Sequence, residues 1–219
     1  MDVINFLIDF ILHMDVHLNE IISNYGAWTY GILFFVIFME TGFVVTPFLP
    51  GDSLLFAAGT FAALGSLNPI FLFGLLGVAA VLGDTINYSI GHFIGERAFS
   101  GTVKFLKKEH LDRTQEFYEK HGGKTIILAR FIPIIRTFAP FVAGVGKMRY
   151  VRFISYNIIG GIAWVALFLS LGYFFGNIPF VKKNFELVIF AIIAISFIPP
   201  IYEFFKARKA AKLAAVAEE

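Results

Sequence analysis

The sequence predicts an all-α polytopic membrane protein, an inverted repeat with two re-entrant helical hairpins plus transmembrane and interfacial amphipathic helices. Three observations carry this. The 219 residues are 58% hydrophobic and only 16% charged, with mean hydropathy +0.75, whereas a soluble domain is ~25% charged. Two apolar stretches hold both prolines and charges: residues 43–65 contain Pro47, Pro50, Gly51 and Asp52, and residues 129–146 contain Arg130, Pro133, Arg136 and Pro140. These stretches also recur. Pro47 and Pro133 are 86 apart, Ala58-Gly59 and Ala143-Gly144 are 85 apart, and Gly91-x-x-x-Gly95 and Gly172-x-x-x-Gly176 are 81 apart. Recurrence of several features at offsets of 81 to 86 residues marks duplicated units.

An ordinary span would use neither feature. Proline inside a helix removes a backbone donor and kinks or breaks the helix. Arginine at the bilayer centre costs ~3 kcal/mol on insertion scales. Pro47, Pro50, Gly51, Pro133 and Pro140 are therefore read as helix breaks. Non-helical backbone at that depth needs protein or a water-filled cavity around it. A broken helix lining a phosphate-sized polar cavity meets both demands.

Composition excludes several classes. There is no cysteine, so disulfides, cysteine-ligated metals and thiol nucleophiles are ruled out. A net charge of +2 is too small to signal nucleic acid. His13, His17, His92, His110 and His121 form no metal cluster, and the chain has neither a nucleophile elbow nor a Walker lysine. No enzyme, cofactor or metal site is expected.

In chain order, residues 1–24 form the N-terminal segment. Asp2, Asn5, Asp9 and His13 recur at helical spacing over 2–22, which predicts an amphipathic helix lying in the interface. The absence of a basic stretch before it argues against a cleaved signal peptide, so Met1 is expected to be retained. Residues 25–205 form the membrane domain. Its first apolar segment, 28–43, opens on Trp28 and Tyr30, which suit an interfacial belt. Asp52 or Ser53 is placed to cap a helix restarting after the first break. Spans follow at 70–95, 153–176 and 185–205, where Pro199-Pro200 should bend or fray the end. Residues 101–121 mix charges with Phe105, Leu106, Leu111, Phe117 and Tyr118, as a helix outside the bilayer would. Residues 206–219 are a basic tail.

Charge placement sets the topology. Of 18 basic residues, 12 lie between Arg97 and Arg152 and four (Lys206, Arg208, Lys209, Lys212) close the chain. Basic loops stay in the cytoplasm. With the tail and 97–124 inside, the three spans alternate, and 124–146 must enter and leave on the cytoplasmic side. Residues 43–65 do the same from outside. The two halves are then inverted, a design in which discontinuous helices meet at mid-membrane around a substrate.

Arg130 and Arg136 are the candidate headgroup ligands, since a guanidinium presents a fork of donors suited to phosphate and stays charged. Glu40 and Asp52 flank the first break and are expected to neutralise the arginines when the site is empty. Desolvation and a neighbouring guanidinium act on such carboxylates in opposite senses, which suits proton coupling or gating. Against this stand an arginine that snorkels to the surface and a purely structural ion pair. Asp84, Asn87 and Tyr88 share one helix face; they either line the cavity or bond a neighbouring helix. Asn157 is read as a helix-packing residue.

Together these residues resemble a known family. Glu40-Thr-Gly, Pro47-x-x-Pro50-Gly51-Asp52, Gly83-Asp84-x-x-Asn87-Tyr88-x-x-Gly91-x-x-x-Gly95, Arg130-Phe131-x-Pro133-x-x-Arg136-x-x-x-Pro140-x-x-Ala143-Gly144 and Asn157-x-x-Gly160-x-x-x-Trp164 are similar to the DedA family of bacterial inner-membrane proteins. That family shares the VTT domain of eukaryotic lipid scramblases. The likeness spans roughly 25–205, and the N-terminal segment resembles that of the family's namesake. It implies transport of lipid phosphates, above all undecaprenyl phosphate recycled to the inner leaflet. It also implies links to proton-motive force, envelope integrity and resistance to cationic antimicrobials. Positions aligned with Glu40, Asp52, Arg130 and Arg136 are functional in family members. The expected partners are a polyprenyl phosphate, membrane lipids and protons, with a homo-oligomer left open. A less selective phospholipid scramblase and a proton-coupled small-ion transporter are the alternatives.

Overall fold

The structure, a computed structural model, describes residues 13–43, 51–99 and 123–195. Pro47, Pro50, the expected helix 101–121, His110, His121, the end of the last span and the basic tail lie outside the described residues, as does most of the N-terminal segment.

Every regular element among the described residues is a helix. The first, α1 (Met14–Tyr25), follows His13, whose backbone (φ −104, ψ 38) is not helical. Of the helix expected over 2–22, the described part begins at Met14, and it runs on to Tyr25. Leu18 anchors α1 in the core, and Thr29 Oγ1 donates to the Ile21 carbonyl at 3.4 Å. Trp28–Gly42 forms α2 and Gly51–Ala63 forms α3. Gly65, at φ +82, turns the chain toward α4 (Pro69–Phe99). Asn68 caps that helix, its Oδ1 accepting from Ile70 and Phe71 N–H at 3.1 and 3.0 Å, with proline at the first helical position.

The second half contains α5 (Lys124–Ala129), α6 (Pro133–Val145), α7 (Tyr150–Phe175) and α8 (Pro179–Lys183), then α9 (Phe185–Ile195). Pro133 forces its predecessor out of the helical region. Ile132 accordingly has φ −118 and ψ 107. Before it, the N–H groups of Arg130, Phe131 and Ile132 each reach back only three residues, at 3.3, 3.2 and 3.0 Å, so α5 tightens and stops. Pro140 was expected to break the helix as well, but α6 runs straight through it. Proline costs one donor there, and the helix continues to Val145.

Length separates the helices by what they can do. Residues Pro69–Gly95 of α4 and the whole of α7 are long and apolar enough to cross a membrane. A 13-residue helix such as α3 or α6 is only ~20 Å long, short of the ~30 Å hydrocarbon core. The two short helices lie against the two long ones. A Cβ on Gly59 of α3 would strike the Leu169 carbonyl of α7, and one on Gly172 of α7 would strike Phe56 O of α3. Likewise Gly144 of α6 meets Tyr88 O of α4, and Gly91 of α4 meets Phe141 O of α6. These glycines are the ones that recur at offsets 85 and 81. Each short helix therefore packs on the long helix of the other half, with backbones in direct contact.

Two apolar clusters result. The larger joins Leu33, Leu55, Leu72, Leu76, Trp164 and Ile189. The smaller gathers Ala129, Ala143, Met148 and Phe153 around Tyr88. The outside carries Ile70, Phe35, Ile159 and Phe174, all more than half exposed. An apolar exterior of this extent marks a surface made for something other than water.

Candidate functional site

The breaks bring charge into the centre. Arg130 closes α5 and Arg136 lies in the first turn of α6, three residues on from Pro133. Both side chains turn inward, and the two residues are 3% and 8% exposed. Their guanidinium carbons sit 5.7 and 5.0 Å from the centre of the same ring, that of Trp164 on α7. Arginine over an indole is a favourable cation–π arrangement.

Arg136 forks between two carboxylates. Its Nη1 donates to Asp52 Oδ1 and its Nη2 donates to Glu40 Oε1. Trp164 Nε1 donates to the same Asp52 oxygen at 2.8 Å. Glu40 is held in turn by the Gly51 N–H, which donates to Oε1 at 3.3 Å. Gly51 opens α3, so a carboxylate from α2 caps the positive end of α3. Gly51 must be glycine for this: a Cβ would overlap the Glu40 carboxylate.

Arg130 has a different acidic partner from the one expected. Its Nη1 donates to Asp84 Oδ2 and to Asn157 Oδ1, each at 2.7 Å, and its Nη2 donates to Ala80 O at 3.0 Å. Glu40 and Asp52 both pair with Arg136, so the expected sharing of these two acids between the arginines is corrected. The third carboxylate, Asp84, reaches Arg130 because α4 crosses the domain beside α7. Asn157 is a ligand of the guanidinium as well as a packing residue; its Nδ2 donates to Val81 O at 3.0 Å. Gly160 and Gly161 give the side chain room, with a Cβ on Gly161 coming within 3.4 Å of Arg130 Nη1.

The three candidates on α4 separate. Asp84 belongs to the charged centre. Asn87 Nδ2 donates to Thr41 O at 3.2 Å and Thr137 O at 2.7 Å, tying α2 and α6 together beside it. Tyr88 does not line the centre: its hydroxyl donates to Met148 O and its ring stacks on Phe153 at 4.3 Å. Trp164 is the residue that side-chain reasoning missed. It carries no charge, and only its place in the Asn157-x-x-Gly160-x-x-x-Trp164 pattern marked it.

Glu40 Oε2, Ser53 Oγ, Asn87 Oδ1 and the Arg136 Nε–H are buried without a hydrogen-bond partner. Buried polar atoms are normally satisfied. Here they present one unused donor, two unused acceptors and a hydroxyl to any polar group that comes in. No group of three His, Asp or Glu with metal-binding geometry occurs among the described residues.

Comparison with known proteins places the chain in a family. Residues 49–174 match the VTT domain. The chain is 56% identical to protein DedA of Escherichia coli K12 over 218 residues, 98% of this chain and all of that one. It is 44% identical to an uncharacterized membrane protein of Mycobacterium leprae, over 75% of this chain and 74% of that one. It is 34% identical to the inner membrane protein YqjA of Escherichia coli K12, over 70% of each chain. No solved structure matches. The motifs, the paired short and long helices and these relatives have one conclusion: the chain is a membrane protein belonging to the DedA family of VTT-domain proteins.

Proposed function

We propose that the chain is a flippase that carries lipid phosphates across the bacterial inner membrane, undecaprenyl phosphate first among them, from the outer to the inner leaflet. One observation carries the reading: two buried arginines converge on Trp164, held by three carboxylates. Two guanidiniums and three carboxylates sum to a formal charge of −1 when all are ionised. An anionic headgroup is repelled by that sum. It is accepted once a carboxylate takes a proton or swings off its arginine. Glu40 is the best placed to do so, with one oxygen unpartnered and the other on Arg136 and Gly51. Arg130 and Arg136 bind the phosphate, Glu40 and Asp52 couple or gate, and Asp84 with Asn157 orients Arg130. No covalent bond is made or broken.

The architecture supports this reading. In the proposed topology α3 and α5–α6 are re-entrant, from outside and from the cytoplasm, and the halves are related by inversion. The ~20 Å length of α3 and α6 and their matched glycine contacts with α7 and α4 support it. The C-terminus is cytoplasmic. The relative YqjA is an inner membrane protein, which supports the location.

The test uses vesicles reconstituted with the full chain and labelled undecaprenyl phosphate. Wild type moves the lipid between leaflets, and Arg130→Ala/Arg136→Ala does not. Equal movement by that variant, or none by wild type, overturns the proposal. Equal movement of ordinary phospholipids assigns a scramblase instead. Transport rises as the outside is made more acidic, because a proton offsets the surplus negative charge. In Glu40→Gln that pH dependence is lost; its persistence removes Glu40 from the proton step.

A further inference from the structure

A furrow runs along the outer seam between α4 and α7. One part, about 350 Å3, lies between Pro69, Phe73 and Tyr173, where α4 begins and α7 ends. The next, about 300 Å3, continues along Phe73, Gly74, Gly77, Val81, Ile158 and Ile162. From Pro69 to Val81 the helix advances ~18 Å.

Two glycines shape it. Most glycines of the core helices touch another backbone or side chain, as Gly59, Gly91, Gly144 and Gly172 do. A Cβ on Gly74 or Gly77 would meet nothing within 4 Å. Glycine inside a helix costs about 1 kcal/mol relative to alanine, and no packing among the described residues uses that cost here. It keeps the furrow open.

The furrow passes beside the charged centre. At Gly161 the Cβ position is 3.1 Å from Val81 Cγ2, which lines the furrow, and 3.4 Å from Arg130 Nη1. One residue layer separates apolar groove from guanidinium. An amphiphile fits that juxtaposition: a hydrocarbon chain in the groove and an anionic end at the arginine. A helix from a second copy fits less well, since an apolar helix face brings no anionic end to the guanidinium.

We infer that the α4–α7 furrow seats the hydrocarbon chain of the lipid phosphate whose headgroup Arg130 attracts, and so selects substrates by their chain. This rests on the transport reading above. In the topology proposed there, Pro69 lies toward the outside, so the chain is seated in the outer-leaflet half.

Gly77→Leu tests it, because the added side chain points into empty space and leucine is the better helix former. Gly31→Leu is the control, also open within 4 Å but on α2, away from the furrow. Affinity is read from ligand-induced shifts in melting temperature of the detergent-solubilised full chain, with undecaprenyl phosphate and n-butyl phosphate as probes. Gly77→Leu weakens undecaprenyl phosphate binding roughly tenfold, as loss of about two buried methylenes would. It leaves n-butyl phosphate unchanged, and Gly31→Leu alters neither. If both probes bind but Gly77→Leu behaves like Gly31→Leu, the furrow is not the chain site. A change of oligomeric mass in Gly77→Leu assigns the furrow to self-association and overturns the inference too. Failure of both probes to bind the unaltered chain overturns the proposed function, and the inference with it.

Discussion

Asp84 shows how much one residue decides. Its carboxylate meets Arg130 at 2.7 Å with both residues almost fully buried. Removing one partner of a buried pair typically costs 3–5 kcal/mol, because the other charge is left uncompensated. Asp84→Ala should therefore lower the melting temperature of the detergent-solubilised chain more than the double variant Asp84→Ala/Arg130→Ala does. The difference between observed and summed single effects measures the pair; strict additivity would mean that the two do not interact. At this scale the sequence was partly legible. Arginine in an apolar stretch is costly enough to demand partners, so Arg130, Arg136, Glu40 and Asp52 stood out. Which acid meets which arginine was not legible, because it depends on the packing together of residues 46 to 96 apart in sequence. Trp164 was hidden for a plainer reason: an aromatic residue in an apolar helix has no local signature beyond core packing.

The helices answer to close approach. The contacts of α3 with α7 and of α6 with α4 have glycine on both sides, and small residues are what let helix backbones meet in a membrane. Gly59→Val and Gly144→Val add bulk at equivalent places in the two halves. Each should destabilise the fold by ~1–3 kcal/mol and reduce lipid movement, whereas Gly74→Ala should be neutral or stabilising, since its Cβ meets nothing. Thermal unfolding in detergent ranks the three; a Gly74→Ala as damaging as Gly59→Val would contradict the packing. Existence of these elements was readable from apolar runs and glycine spacing. Their ends were less so. Pro133 starts α6 because proline suits the first helical turn, while Pro140 sits within it. A proline's residue type does not tell which of these it does, since the outcome depends on whether the surrounding packing holds the turn together.

For the whole molecule the decisive quantity is the number of crossings between fixed points. In the proposed topology the basic stretches at 97–124 and 147–152 share one side, and 124–146 would then have to return to the face it entered. The length of α6 agrees, at ~20 Å against a ~30 Å core. The chain has no cysteine, so single cysteines report position without background. Ser66, Lys124 and Arg149 are all exposed and stand at the ends of the segments in question. In intact cells a membrane-impermeant maleimide should label Ser66→Cys and spare Lys124→Cys and Arg149→Cys. In inside-out vesicles the pattern should reverse. Lys124→Cys and Arg149→Cys on opposite sides would mean that α5 and α6 cross the membrane together. The two halves would then no longer be inverted copies, and the arginines would sit in a transmembrane path instead of at the meeting point of two short helices. Labelling of Lys124→Cys and Arg149→Cys from one side, with Ser66→Cys from the other, leaves the re-entrant arrangement as the topology that accounts for the broken helix, the buried arginines and the basic loops together.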